Sequence, residues 1–288
     1  MTERIDQPHA WGGGPYDRPL RIVIVTQEDP FYIGTFFRSF FELRAEHESV
    51  VDIEGVMVQP ALGNRRKGEL AKRIWTLYGT VGFVRMLGRY AAAVVTGRGI
   101  ETHCRDAGVP VLRIPPERSV GPTGQTRPPR ENNVNGPTFH RRLRERAIDV
   151  VVSVSASQIF GRTVLDIPTI GCVNLHNAPL PRYRGMLPNF WQIYHGETKS
   201  VLTIHEMVPK LDDGAILHQY ETPITAGTTL ESLMTQTKTN SAYALWEFLE
   251  RLKRGEIVAR PLVGEGSYFT WPTRAAVREF RRRGRRVW

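Results

Sequence analysis

Asn174, His176 and Asp212 supply an amide, an imidazole and a carboxylate at a spacing that lets all three face one space. The polar pair alternates with Val173 and Leu175, and a strand's side-chain period of two sends Asn174 and His176 to the same face. Asp212 comes 38 residues after Asn174, beyond a second strand-forming run, Val201 to Met207, in a turn that Gly214 eases. The carboxylate is expected to return to the imidazole. Such a set suits acyl transfer, because the amide can stabilise an oxyanion and the imidazole can move a proton. The carboxylate can then hold the imidazole's tautomer and support its charge.

The segment Val173 to Leu217 also carries a proline-rich loop ending in Arg184-Gly185 and a turn reading Leu211-Asp212-Asp213-Gly214. In this order the motifs closely resemble the core of the 10-formyltetrahydrofolate-dependent formyltransferases, whose pattern falls on Asn174, His176, Pro181, Arg184, Gly185, Leu211, Asp212 and Gly214. The resemblance implies that Asn174, His176 and Asp212 form the catalytic triad. It also implies that the loop Ala178, Pro179, Leu180 and Pro181 contacts the folate, together with Ser153, Ile159 and Asp213. One departure stands out: where many relatives have Ser-Leu-Leu-Pro, this chain has Ala178-Pro179-Leu180-Pro181, a stiffer loop without the serine hydroxyl. Upstream, Asp149 to Phe160 looks like the strand and turn that hold the pterin in that family. By the same resemblance 10-formyltetrahydrofolate is the formyl donor, and the acceptor is a small-molecule amine, an amino sugar on a nucleotide.

The elements that must position these groups read as an α/β chain, a Rossmann-like, doubly wound and mostly parallel sheet. Arg21 to Thr26 is a β-branched run suited to a buried strand, and Gly34 to Glu46 follows with helical apolar spacing at Phe37, Phe40, Phe41 and Leu43. Ile53 to Val58, Val109 to Ile114 and Val150 to Val154 supply further strands, and sheets of this kind bind ligands beyond the carboxyl ends of their strands. No Gly-x-Gly-x-x-Gly follows the first strand, so a dinucleotide is not expected. Residues 1–19 read as a flexible lead-in, residues 20–225 as the catalytic domain and residues 226–288 as a C-terminal helix with a basic extension. Two segments interrupt the domain. Residues 64–97 form a basic helical insertion broken near Gly79 to Gly82, with Arg65, Arg66, Lys67, Lys72, Arg73, Arg85 and Arg89; residues 115–137 read as a mobile loop. Thr228 and Glu231 predict a capping box that opens a helix running to about Arg254.

Composition narrows the alternatives. With 288 residues, 41% hydrophobic and 24% charged, the chain can bury a large core, and without a signal peptide or long apolar run it is expected in the cytoplasm. Cys104 and Cys172 are too few for a disulfide framework and lack metal-ligand spacing, so no metal is expected. The net charge of +10 is uneven, since Arg274 to Trp288 alone carries +6 in what reads as a solvated tail. The stretch after the long helix is too short for a separate tRNA-binding domain, which argues against tRNA as acceptor and nucleic acid as partner. A formyltetrahydrofolate hydrolase would use the same triad with water as nucleophile. A non-catalytic protein binding nucleic acid or a membrane surface through its basic segments is the reading from another class. Membrane-surface contact by the insertion, or a homodimer built on it, stays open.

Overall fold

The computed structural model describes residues 11–47, 49–61, 67–96, 99–120 and 125–288. Arg65 and Arg66 of the insertion and residues 1–10 of the lead-in lie outside them. In chain order the elements are β1 (Leu20–Gln27), α1 (Ile33–Glu46), β2 (Val51–Gln59), α2 (Lys67–Thr96), α3 (Ile100–Asp106), β3 (Val111–Leu112), β4 (Glu117–Val120), β5 (Thr126–Arg130), α4 (Pro137–Glu145) and β6 (Val150–Val154). There follow α5 (Arg162–Leu165), β7 (Gly171–His176), β8 (Arg184–Gly185), α6 (Pro188–His195), β9 (Lys199–Glu206), β10 (Ile216–Pro223), α7 (Leu230–Lys253), β11 (Tyr268–Phe269) and α8 (Arg274–Arg282).

Seven strands form the central sheet in the order β10-β9-β7-β6-β1-β2-β3. The five from β7 to β3 run parallel, and β9 and β10 continue the sheet antiparallel. The apolar run of β1 is continuous because both faces are covered: Ile22 and Ile24 pack against α1 and α7, while Val23 and Val25 pack against Phe139 and Leu143 of α4. On α1, Phe36, Phe37, Phe40 and Phe41 are buried at helical spacing, and Phe40 meets Trp246 of α7 edge-on. The mostly parallel, doubly covered sheet agrees with the sequence reading.

Several local expectations change. The lead-in is tied down from Trp11, which is 2% exposed and packs on Phe248, while Arg18 forms a bidentate pair with Asp149. The proline-rich stretch from 115 to 137 contains the antiparallel pair β4–β5 and the start of α4. The helix expected at Thr228 is capped one residue later, where Thr229 accepts from Ser232 N and the Ser232 hydroxyl accepts from Thr229 N. Serine, rather than Glu231, closes this box, and Glu231 instead pairs with Arg89.

The insertion breaks at Gly79 (φ 72°) as its glycines predict. Its partner is the basic C-terminus, which is not a solvated tail. Leu77, Tyr78 and Met86 of α2 share a satellite core with Phe190 of α6 and with Val277, Phe280 and Val287. Phe280 stacks on Phe190 at 4.6 Å, and a Cβ on Gly82 would lie 2.2 Å from the Trp288 ring. The backbone N–H groups of Leu230 and Glu231 donate to the carbonyls of Arg286 and Val287, so the chain end caps the first turn of α7. Apolar residues interleaved among the arginines at helical spacing bury this segment while its charges stay outside.

Candidate active site

The carboxyl ends of β1, β6 and β7 open into a cavity of about 430 Å³, lined in part by Gln27, Ser153, Asn174, His176, His205 and Asp212. Register places three of these groups together. Ser153 of β6 pairs with Asn174 of β7, and Asn174 pairs with His205 of β9, so the three side chains share one face of the sheet. His176, two residues beyond Asn174, shares it too.

Asp212 arrives by a different route. The β9–β10 connection folds back so that Glu206 N donates to Ala215 O at 2.9 Å, and Asp212 itself takes a left-handed conformation at φ 50°, which aspartate tolerates. Gly214 has the role of close approach, since a Cβ there would lie 2.1 Å from Glu206 O. Ser155 and Leu187 on the cavity wall also have positive φ (59° and 53°), costing of order 1 kcal/mol each. Left-handed residues gathered around one cavity are what a pre-shaped site requires.

The hydrogen bonds define the tautomers. His205 Nδ1 lies 2.8 Å from the Glu206 carbonyl, an acceptor, so Nδ1 carries the proton and Nε2 holds the lone pair. Asn174 Nδ2 is 3.1 Å from that Nε2 and donates to it. The amide is thereby turned, and its second N–H remains for a ligand in the cavity. His176 Nε2 sits 3.1 Å from the Tyr183 carbonyl and must donate, which makes Nδ1 the basic nitrogen. Burial, reinforced by the nearby His176 and opposed by Asp212, pulls the His205 pKa from 6.5 down to about 4, so it is neutral at ordinary pH. Asp212 Oδ1 lies 3.6 Å from His205 Nε2. The carboxylate therefore approaches His205, where the sequence reading had it return to His176. The imidazole that the reading overlooked is the one joining amide to carboxylate. The signal in the sequence is its place in the strand-forming run Val201 to Met207, seven residues before Asp212.

Of the other expected binding residues, Ser153 and Ile159 line the cavity. Ala178, Pro179, Leu180, Pro181 and Asp213 are not among its walls. Ala178, Leu180 and Pro181 are buried inside the protein, the Ala178 carbonyl accepts from Thr203 Oγ1 at 2.6 Å, and Pro179 is half-buried. The prolines lack donors for a ligand, and the Pro181 carbonyl instead accepts from Ser267 N at 3.3 Å, next to the β8–β11 bridge. Asp213 pairs with Arg184 at 2.6 Å and Lys210 at 2.9 Å, and these cations hold its carboxyl below the usual range, Lys210 foremost. The Arg184–Asp213 pair ties the proline loop to the turn that carries Asp212. Ser155 to Phe160, within the stretch expected to hold the pterin, form one wall, and Gly185 to Pro188 with Met207, Val208, Pro209 and Leu211 form walls not expected from the sequence.

A second cavity of about 320 Å³ adjoins the first and shares Gln27, Ser155, Asn177, Leu187 and Pro188 with it. Its walls include Asp29, Lys238, Trp271 and the inner side of α2 at Ile74, Leu77, Tyr78 and Met86. Lys238 Nζ donates to Ser155 Oγ at 2.6 Å, and burial lowers its pKa, with Asp29 acting the other way. Among the described residues no cluster of His, Cys, Asp and Glu could hold a metal ion.

An open α/β sheet gathers an amide donor, two imidazoles and a carboxylate at its carboxyl edge, beside a second chamber, a set of groups that can stabilise an oxyanion and move a proton. A family model for formyl transferases matches residues 99–249, more than half of the chain, and the protein belongs to that family. Relatives include the methionyl-tRNA formyltransferases of Myxococcus xanthus, 33% identical over 172 residues (60% of this chain, 50% of that protein), and of Syntrophus aciditrophicus, 45% identical over 91 residues (32% and 29%). The chain thus spans half or less of the length of these two relatives. Among solved structures, a sugar N-formyltransferase from a Shewanella species shares the fold at a TM-score of 0.54 and 18% identity, covering 87% of this chain and 76% of that one. Glycinamide ribonucleotide transformylase 1 from Symbiobacterium toebii does so at 0.57 and 17%, covering 86% and 96%.

Proposed function

We propose that this chain is an N-formyltransferase that moves the formyl group of 10-formyltetrahydrofolate to a primary amine. The observation that carries the reading is the hydrogen-bonded file Asn174–His205, with Asp212 beside it and His176 on the same sheet face, at a cavity with a second chamber next to it. The first cavity suits a flat heteroaromatic ring: Ile159, Phe160, Met207 and Leu211 supply apolar walls, and Ser153, Ser155, Ser157 and Gln158 supply polar ones. The folate supplies a formyl carbon activated by its bond to N10. The incoming amine attacks that carbon, forming the new C–N bond as the carbonyl electrons move onto oxygen. The free N–H of Asn174, aimed by neutral His205, stabilises that oxygen. His176 accepts the proton that the amine loses and returns it to N10 as the old C–N bond breaks. Asp212, next to His205, offsets positive charge as the proton moves.

The acceptor occupies the second chamber, where Asp29 and Lys238 are placed to recognise polar groups around the amine. An amino sugar carried on a nucleotide is our proposed acceptor, a reading supported by neighbours in fold such as a sugar 3-N-formyltransferase solved in the presence of dTDP and 5-N-formyl-THF. The match to methionyl-tRNA formyltransferases makes methionyl-tRNA the alternative to be tested alongside it. Incubation with 10-formyltetrahydrofolate and a panel of nucleotide amino sugars, glycinamide ribonucleotide and methionyl-tRNA, followed by mass spectrometry, should show a formyl-sized increment on one acceptor. His176→Ala should abolish it, with a loss of about 100-fold or more. Formate release without any formylated acceptor would assign the site to hydrolysis.

A further inference from the structure

The structure joins two segments that lie far apart in the chain, α2 and the arginine-rich end around α8, into one outer surface. The inner side of α2 is buried at Leu77, Tyr78 and Met86. Its outer side after the break carries Val81, Val84, Leu87 and Val95, at 84%, 61%, 52% and 85% exposure. With Gly88 and Ala91, both exposed, these positions fall three or four residues apart and make an uncharged stripe opposite the buried face. Tyr90 and Trp75 are 52% and 42% exposed on the same helix. The only acidic residue in α2 is Glu69, in its first turn. Cations lie on the same helix and on the segment packed against it: exposed Arg85 follows Val84 and lies over Trp288, Arg274 stands 5.3 Å from the Trp75 ring centre, and Arg281 donates to the Leu77 carbonyl. In α8 the one acid, Glu279, is taken by Arg282 and Arg283.

We propose that this surface docks the protein on an anionic lipid bilayer, with α2 lying in the plane of the interface. A stripe of aliphatic side chains on a helix that also carries exposed arginine, tryptophan and tyrosine, beside the arginine-rich α8, matches the layering of such an interface, where acyl chains lie beneath negatively charged headgroups. The pattern disfavours the other occupants. A second copy docked through the same face would bring Arg85 and the arginines of α8 against their own counterparts. RNA would leave the four aliphatic residues uncovered, since bases stack on aromatic rings. Among the described residues no helix is long and apolar enough to cross a membrane, so the contact is one of surface. Because Ile74, Leu77, Tyr78 and Met86 wall the second chamber, docking sets that chamber about one helix diameter, roughly 10 Å, from the lipid.

The test is independent of the transfer reaction. The full chain is floated with vesicles of phosphatidylglycerol and phosphatidylcholine in equal parts, and with vesicles of phosphatidylcholine alone. Binding to the anionic vesicles is expected to be about tenfold or more the stronger, and to weaken as salt rises. The double variant Val84→Glu/Leu87→Glu should lose about tenfold or more of that binding with an unchanged circular dichroism spectrum and melting temperature. Val95→Glu, at a more exposed position, serves if the double variant does not fold. No flotation of the wild type, or equal flotation of wild type and variant, overturns the proposal. So does a lipid-free dimer that the same substitutions dissociate, or RNA binding that they remove while leaving flotation intact.

Discussion

His205→Gln tests the assignment of a neutral imidazole at the centre of the site. Burial, aided by His176, holds the folded-state pKa near 4, against 6.5 for an ordinary histidine. The unfolded chain therefore takes up a proton as pH falls through the ordinary value, while the folded chain takes none until about pH 4. Across that window the unfolded state binds more protons, so acidification removes stability. From about pH 7 to about pH 5 the two binding curves differ by about 2 kcal/mol, corresponding to roughly 3 °C in melting temperature for a chain of this size. Glutamine does not titrate there, and its oxygen can still accept from Asn174. Equilibrium urea unfolding of both proteins at the two pH values cancels the contributions of other groups, His218 included. The wild type should lose about 2 kcal/mol more than the variant. Parallel losses would mean that His205 is not held neutral, and the derived orientation of the Asn174 amide would fall with it.

Gly214→Ala should destabilise by about 1–3 kcal/mol in the same unfolding assay and slow transfer, because the added methyl meets Glu206 O and must displace the turn that carries Asp212. Deleting residues 274–288 should lower stability by several kcal/mol, at about 1.5–3 kcal/mol for each of Val277, Phe280 and Val287 removed from the core; an unchanged melting temperature would show the tail to be dispensable. Lys238→Met should raise the KM of the formyl acceptor about tenfold and leave that of 10-formyltetrahydrofolate unchanged; a matched change in both would place Lys238 at the donor site.

Much of the architecture was legible in local pattern. Continuous β-branched runs such as Arg21 to Thr26 mark strands buried on both faces, and the phenylalanines of α1 mark the helix that covers one of them. Strand alternation alone was enough to put Asn174 and His176 on one face, and glycine placed the break in α2. Family membership follows from motif order and agrees with the match over residues 99–249.

Cross-strand and long-range partners were not legible, because they depend on register and on the way loops return. Only the pairing of β7 with β9 sets His205 against Asn174, and only the folded-back turn sets Asp212 beside His205 rather than His176. The proline loop has a composition that suits ligand contact, yet its Ala178 and Pro181 carbonyls are taken by Thr203 and Ser267, partners that lie 25 and 86 residues further along the chain. An arginine count cannot separate a solvated tail from a packed one. Val277, Phe280 and Val287 decide the matter through partners on α2 and α6, contributed by residues about 90 to 200 positions away, where no local periodicity can report on them. Spacing along the chain thus fixes which way a side chain points, and tertiary packing decides what it meets.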